Sequence, residues 1–426
     1  MSSPYQRFAY YTFGCKVNFA DSCMIARNLI DKGLTEVPID QDAEIYIINT
    51  CSVTEKADKK AEHFIRKLNR RSPESKIIVT GCYAQLKPEK ISKIPGVSKV
   101  VNAKNKFNIN TYLDEKLNYQ NSDIASVKDF NISYSINERT RAFIKIQDGC
   151  DYTCSYCTIP KARGKSRSGT ISSIIENINT VVNQGVHEII LSGINIGDFG
   201  KDTNENLLKL LLELEKIKKL NRYRISSIEP NLLNDPIIKL IAKSNKAVPH
   251  LHIPLQSGNN EILKSMKRRY TIEDYDKLIK KINKYIPGIC IGVDVIVGYP
   301  GEDDEDFIKT YNYLNNLNIS YLHVFSYSDR ENTHSFKLKS KVNSNQKSYR
   351  RKLLQKLSKE KFYNYINNNL NQTKKVLFEN YNDGIVDGLT DNYIRVYVHG
   401  DRKLINQIKD VKIIKNETSV YGELIG

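Results

Sequence analysis

The chain has 426 residues, enough for two to four domains at roughly 100–200 residues each. Apolar residues make up 40% and charged residues 27%, which excludes general disorder, and no apolar run approaches the roughly 20 residues of a membrane span. Sixty-five Lys and Arg against 48 Asp and Glu leave a net charge of +17, so a polyanionic partner is expected, with a merely soluble basic surface as the plain alternative. Met1 to Tyr11 carries no basic-then-apolar signal pattern. A reducing, cytoplasmic setting follows, in which the eight cysteines are not a disulfide framework.

The first residues repeat a strand, loop and helix. Strands are expected over Phe8–Thr12, Glu44–Ile48 and Lys76–Thr80. Helices are expected from about Ala20 to Asp31 and from after Cys51 to about Arg70; in the second, Ala57, Ala61, Phe64, Ile65 and Leu68 share one face. The strands are dense in Ile and Val, as in a parallel sheet covered on both faces. Residues 1–118 are therefore read as an N-terminal open parallel-sheet α/β domain, and the aperiodic polar stretch 119–138 as a linker.

From Arg141 the rhythm resumes, with strands expected at Ala142–Ile146, His187–Leu191, Arg222–Ser227, His250–Pro254, Ile289–Val297 and Tyr321–Phe325. Six βα units in residues 139–336 predict a partial (β/α)6 barrel. Residues 337–373 form a basic connecting segment. Between Lys337 and Lys375 there are twelve Lys and Arg and one acid, Glu360, which places +11 of the +17 there. Tyr349, Phe362, Tyr363 and Tyr365 interleave with those cations, a pattern that suits phosphates and stacked bases and equally a solvated helix. Residues 374–426 change to short alternating runs between Asn-Asp-Gly and His-Gly-Asp turns, and predict a small antiparallel β-barrel.

Cys150, Cys154 and Cys157 form C-x3-C-x2-C in one loop after a strand. A structural zinc ion asks for four ligands, and no fourth Cys or His follows nearby. An iron–sulfur cluster can keep its fourth iron for an outside ligand. Tyr156, just before the last cysteine, can cover a cofactor or simply pack the loop. Cys15, Cys51 and Cys82 each end a predicted parallel strand. The loops at the carboxyl ends of such strands gather on one edge, so a second three-thiolate cluster competes with three separate buried cysteines. Cys23 and Cys290 are assigned to packing.

The barrel strand ends add Ser192-Gly193, Glu229, Gln256 and Gly298, on the edge where such folds carry their sites. Glu229 and Gln256 can hydrogen-bond a cofactor, and the glycines let one approach the backbone; each also fits an ordinary turn. His250 and His252 are expected to be structural.

With Tyr156, the cysteine loop resembles the radical S-adenosylmethionine enzymes. Thr12-Phe13-Gly14-Cys15-Lys16-Val17-Asn18, Asn49-Thr50-Cys51, Thr80-Gly81-Cys82-Tyr83-Ala84-Gln85, Ala162-Arg163-Gly164, His252 to Gly258 and Asp294 to Glu302 resemble the methylthiotransferases. The C-terminal β module resembles that family's TRAM domain. Cys15-Lys16-Val17-Asn18 and Lys145 to Cys150 look most like the branch acting on N6-threonylcarbamoyladenosine in tRNA. One departure is Asn332, where members often show Gly; Asn tolerates left-handed backbone better than most residues.

The resemblance implies two [4Fe-4S] clusters and S-adenosylmethionine. Cys150, Cys154 and Cys157 would hold the cluster that chelates and reductively cleaves S-adenosylmethionine, and Cys15, Cys51 and Cys82 an auxiliary cluster carrying the sulfur. Implied partners are a tRNA anticodon arm, an external electron donor and a possible sulfur donor, with no membrane; a monomer is expected. Competing readings are methylthiolation of isopentenyladenosine, modification of an aspartate in a ribosomal protein, and a non-catalytic, metal-stapled RNA-binding protein.

Overall fold

The computed structural model describes residues 7–113, 123–136 and 140–425. The N-terminal sheet is parallel throughout. Its strands β1 (Arg7–Thr12), β2 (Thr35–Glu36), β3 (Ile45–Thr50), β4 (Lys76–Gly81) and β5 (Val97–Val100) lie in the order β2-β1-β3-β4-β5. Alternation along β3 explains its unbroken apolar run: Ile45 and Ile47 pack with Ile25 and Leu29 of helix Lys16–Ile30, while Tyr46 and Ile48 pack with Ile65 and Leu68 of helix Glu55–Arg71. The second helix opens on Thr54, whose side chain accepts from the Ala57 amide, and it ends on Arg70 and Arg71, which oppose its dipole. The first helix starts at Lys16, four residues before Ala20, because Cys15 occupies its N-cap without a side-chain cap bond.

Part of the stretch read as a linker falls outside the described residues. Within 123–136, strand β6 (Ser133–Tyr134) pairs antiparallel with β7 (Arg141–Lys145). A small hairpin of β8 (Gln147–Asp148) and β9 (Arg167–Ser168) follows. The expected partial barrel is then completed by β10 (Glu188–Ser192), β11 (Arg222–Ile225), β12 (His250–His252), β13 (Cys290–Val297) and β14 (Tyr321–Ser326). Two sheets, β11-β10-β7-β6 and β12-β13-β14, meet through parallel bridges Tyr223–Ala247 and Ser227–His252. Side-chain alternation sorts the strands into two faces. Ala142, Ile144, Ile189, Leu191, Tyr223, Leu251, Ile291, Val293 and Val295 join the large core under the helices. Arg141, Phe143, Glu188, Arg224, His250, His252, Asp294 and His323 take the opposite face and give the barrel a polar lumen.

The basic segment is mostly one helix, Ser344–Asn367. Not all of its charge faces solvent. Arg350 is 1% exposed and bonds Glu302 at 2.6 Å and Asp304 at 2.8 Å, tying the helix to the loop after β13. Lys352, Lys356 and Lys359 remain exposed. Strands β15 (Thr373–Asn382), β16 (Ile385–Thr390), β17 (Arg395–His399), β18 (Ile408–Asn416) and β19 (Val420–Leu424) close a barrel in the order β15-β16-β17-β19-β18. Between β16 and β17, Tyr393 sits at φ 68° and reaches into the floor of the larger barrel. There it donates to Glu188, lies 4.3 Å from the Arg224 guanidinium and 4.8 Å from the His250 ring. Asn332 has φ 67°, the left-handed geometry that its side chain tolerates.

The N-terminal sheet is bolted to the larger barrel by buried charge. Asp21 is fully buried; its oxygens accept from Lys106, from Lys145 at 2.6 Å and from Ser133 at 2.9 Å. Arg163 bonds Asn18 and, at 2.7 Å, Asp148. Burial alone would raise the Asp21 carboxyl, but Lys106, Lys145 and Arg163 outweigh it and hold its pKa at about 2. An Asp in an unfolded chain titrates near 3.9, so this group contributes stability above about pH 4 that fades as pH falls toward 2. Asp21→Ala strands two buried lysines, and urea titration should show a loss of about 3–5 kcal/mol. The variant should also lose less of its remaining stability than the wild type across that acid window.

Candidate active site

Strand β7 runs into the cysteine loop through Gly149. Its φ of 71°, and a Lys165 carbonyl 2.0 Å from where a Cβ would stand, admit only glycine. The loop is pinned on several sides. The Cys150 amide donates to Gly164 at 3.1 Å and that of Ser155 to Met266 at 3.1 Å. Tyr152 lies 3.7 Å beneath the Arg269 guanidinium. Arg268 is the central cation: it donates to the Cys154 Sγ at 3.2 Å and the Tyr156 hydroxyl at 3.4 Å, and pairs with Glu229.

The other three cysteines converge at the carboxyl edge of the N-terminal sheet. A Cβ on Gly14, at φ 102°, would lie 2.9 Å from the Cys51 Sγ, so glycine lets the Cys15 loop close onto Cys51. Burial, with Cys82 and Cys15 nearby, pushes the Cys51 thiol up to about 12. Burial also raises Cys82, and the neighbouring Arg163 guanidinium works against that rise. Arg163 thus lies beside Cys82 and also bonds Asp148, two residues before Cys150. In the first set burial lifts Cys150 to about 11 and Cys157 to about 12. Buried thiols of this kind become thiolates when a metal compensates their charge.

The spacing bears on which metal group suits them. Among the described residues, only His252, Asp294 and His323 bring three ligand atoms within 4.8 Å of one another. One zinc ion with Zn–S bonds near 2.3 Å needs sulfurs only about 3.8 Å apart. Both cysteine sets are wider than that, and each stops at three thiols, as a multi-iron group with an open iron requires.

The predicted strand-end residues are placed as follows. Tyr156 packs with Met266, Tyr299 and Tyr327 beside the cysteine loop. Ser192 is buried and donates to the Ile190 carbonyl at 3.2 Å. Gly193 leaves room for Gln147, whose Oε1 accepts from the Ile194 and Asn195 amides at 2.9 and 2.7 Å. Glu229 faces Arg268 and the cysteine loop. Gln256 holds a left-handed φ of 75°, a strained backbone of the sort that collects at ligand sites. Gly298 makes room for the Lys347 stem, 2.3 Å from where its Cβ would stand. Cys23 and Cys290 are buried away from both sets. His250 bonds the Tyr321 hydroxyl at 2.9 Å and His252 bonds Asp294 at 2.8 Å.

Comparison with known proteins agrees with this arrangement. Residues 144–314 match the radical SAM superfamily and residues 7–102 match "uncharacterized protein family UPF0004". The threonylcarbamoyladenosine tRNA methylthiotransferase MtaB of Bacillus subtilis is 37% identical over 96% of this chain and 93% of its own. The chain belongs to the radical S-adenosylmethionine methylthiotransferase family. The MtaB of Aquifex aeolicus is 34% identical over 93% of this chain and 98% of its own. The tRNA-2-methylthio-N(6)-dimethylallyladenosine synthase of Endomicrobium trichonymphae is 31% identical over 97% and 99%. The radical S-adenosylmethionine methyltransferase TsrM of Kitasatospora setae shares the fold, with a TM-score of 0.59, 14% identity, and 78% and 77% of the two chains covered. This methylthiotransferase is therefore an enzyme that uses a [4Fe-4S] cluster and S-adenosylmethionine.

Sequence reading missed Arg268, Gln147 and the pairing of Lys16 with the lumen. The adjacent pair Arg268-Arg269 shortly after the helix Asn260–Ser265 was the available signal for the first. Lys16 reaches the lumen 6.0 Å from the Phe143 ring. Burial, then Arg224 and Arg141, push its amine down to about 7. Arg268→Leu removes the donor to Cys154 and leaves Glu229 without its cation. Denaturant titration of the iron-loaded protein should show a loss of about 3–5 kcal/mol, with faster bleaching of cluster absorbance in air.

Proposed function

We propose that this enzyme inserts a methylthio group at C2 of N6-threonylcarbamoyladenosine next to the anticodon of tRNA. The observation that carries the reading is Arg163, which lies beside Cys82 and bonds Asp148, two residues before Cys150, in a chain whose relatives at 37% and 34% identity bear that activity in their names. Cys150, Cys154 and Cys157 hold one [4Fe-4S] cluster, and Cys15, Cys51 and Cys82 hold a second. When bound, these groups and S-adenosylmethionine supply the one-electron chemistry and the sulfur for a C–H bond that no side-chain acid or base can usefully ionise.

The chain's own residues do the rest. Arg268 fixes Cys154 and balances its thiolate, and Arg163 does the same for Cys82. Tyr156, with Tyr299 and Tyr327, walls the loop from water. Glu229 and the strained backbone at Gln256 present polar groups to S-adenosylmethionine at the strand ends. Lys352, Lys356 and Lys359 bind phosphates of the anticodon arm beside a cavity of about 750 Å³ that reaches His323 and Phe325. The base leaves its stack to enter there. The small closed barrel steadies the arm; an external donor would supply the electrons and a sulfur donor the sulfur. One chain carries both cysteine sets, so a monomer suffices, and its tRNA substrate places it in the cytoplasm.

Cys154→Ala and Cys51→Ala, made singly, should each lose the iron of one cluster only. Nucleosides from cells carrying either variant should show the threonylcarbamoyl form accumulating without its methylthio product. Iron content unchanged in Cys51→Ala would rule out the second cluster. Substituting Gln for Lys352, Lys356 and Lys359 together should flatten the plot of log affinity for tRNA against log salt by about 2, at ~0.7 per phosphate on single-stranded RNA.

A further inference from the structure

The lumen of the larger barrel holds cations in excess of their partners. Arg141 pairs with Glu379 at 2.7 Å and Arg222 with Glu188 at 2.6 Å. Arg224 has no such carboxylate. It is 9% exposed, its Nε is buried without a hydrogen-bond partner, and its guanidinium lies 4.3 Å from the face of Tyr393. Lys16 enters the same lumen from the N-terminal sheet and likewise makes no hydrogen bond or ion pair among the described residues. Phe143, over which the Lys16 amine stands, and Arg224 flank Ile190 on adjoining strands, so both cations face the same lumen. Two unpaired cations sharing one lumen are unfavourable until an anion joins them.

We propose that Lys16 and Arg224 receive the carboxylate of the threonylcarbamoyl group, and so select the substrate within the reaction proposed above, on which this inference rests. Of the two adenosine side chains named by the relatives, the dimethylallyl group is a neutral hydrocarbon, whereas the threonylcarbamoyl group ends in a carboxylate. Only the latter completes the charge balance of the lumen. An Arg fork with a Lys amine is suited to a single carboxylate, the Arg by planar paired bonds and the Lys as a point charge. The His252–Asp294 pair at 2.8 Å, with His323 beside it, offers polar atoms for the hydroxyl of the same side chain. Those three residues are the tightest metal-like set among the described residues, but they share the lumen with Lys16 and Arg224, whose positive charge disfavours a metal cation there. His323 also lines the cavity beside Lys352, Lys356 and Lys359, so a base entering past the phosphate-binding helix arrives at these residues.

The test uses the iron-loaded enzyme and two synthetic anticodon stem-loops, one with N6-threonylcarbamoyladenosine and one with adenosine at that position. The wild type should bind the modified loop roughly tenfold to a hundredfold more tightly, the worth of hydrogen bonds to a charged group. Arg224→Met and Lys16→Met should each remove most of that preference, and Arg224→Lys should restore part of it. Arg224 is remote in sequence from every cysteine, and iron per chain in Arg224→Met checks that its clusters are intact. A wild type without preference, or an Arg224→Met enzyme that keeps the full preference, would overturn the inference. In the second case, methylthiolation of the modified loop by the same preparation would leave the proposed reaction standing. A wild type that binds the modified loop tightly yet never methylthiolates it would instead remove the reaction and leave the binding site.

Discussion

Asp21 has no exposed surface, yet it must stay ionised, because Lys106 and Lys145 both end on its oxygens and Arg163 stands nearby. That one carboxylate joins a helix of the N-terminal sheet to the first strand of the larger barrel. Each group in the cluster is costly to bury alone and acceptable only with the others, so the two units are held in one arrangement rather than several. The consequence reaches the chemistry. Lys16 and Cys15 lie at the start of the helix that Asp21 anchors, and Arg163 connects Cys82 to Asp148 at the root of the other cysteine loop.

The excess of basic residues serves three physical ends. Some cations are structural: Arg350, Arg222 and Arg330 are buried against Glu302, Glu188 and Asp58, and contribute nothing to surface potential. Others, such as Lys352, Lys356 and Lys359, stand in solvent along one helix where a phosphate backbone can reach them. A third group, Arg224 and Lys16, is enclosed and unmatched. The net charge alone does not separate these uses, since it counts a buried ion pair's cation and a solvated lysine alike.

Much of the fold was legible. All six barrel strands fall within about two residues of their expected places, since strands buried on a core face run to Ile and Val between turn residues. The gathering of Cys15, Cys51 and Cys82 at one sheet edge was legible too, from their equivalent positions on successive βα units. The two-residue strand Ser133–Tyr134 was not, being too short for any periodicity. Nor was the start of the first helix, which lacks a polar cap at Cys15.

The sequence by itself determined what depends on neighbours along the chain: strand and helix patterns, the thiol loop and the edge on which the strand ends collect. Only the tertiary structure decided which charges meet. Asp21 finds Lys106 and Lys145 across 85 and 124 residues, and Arg268 finds Cys154 across 114. It also decided that Arg350 is spent inside the protein while Arg224 faces an enclosed space without a counter-ion. Charge pairing leaves no local period to read, because an ion pair is set by distance and desolvation in the folded chain and not by spacing in sequence.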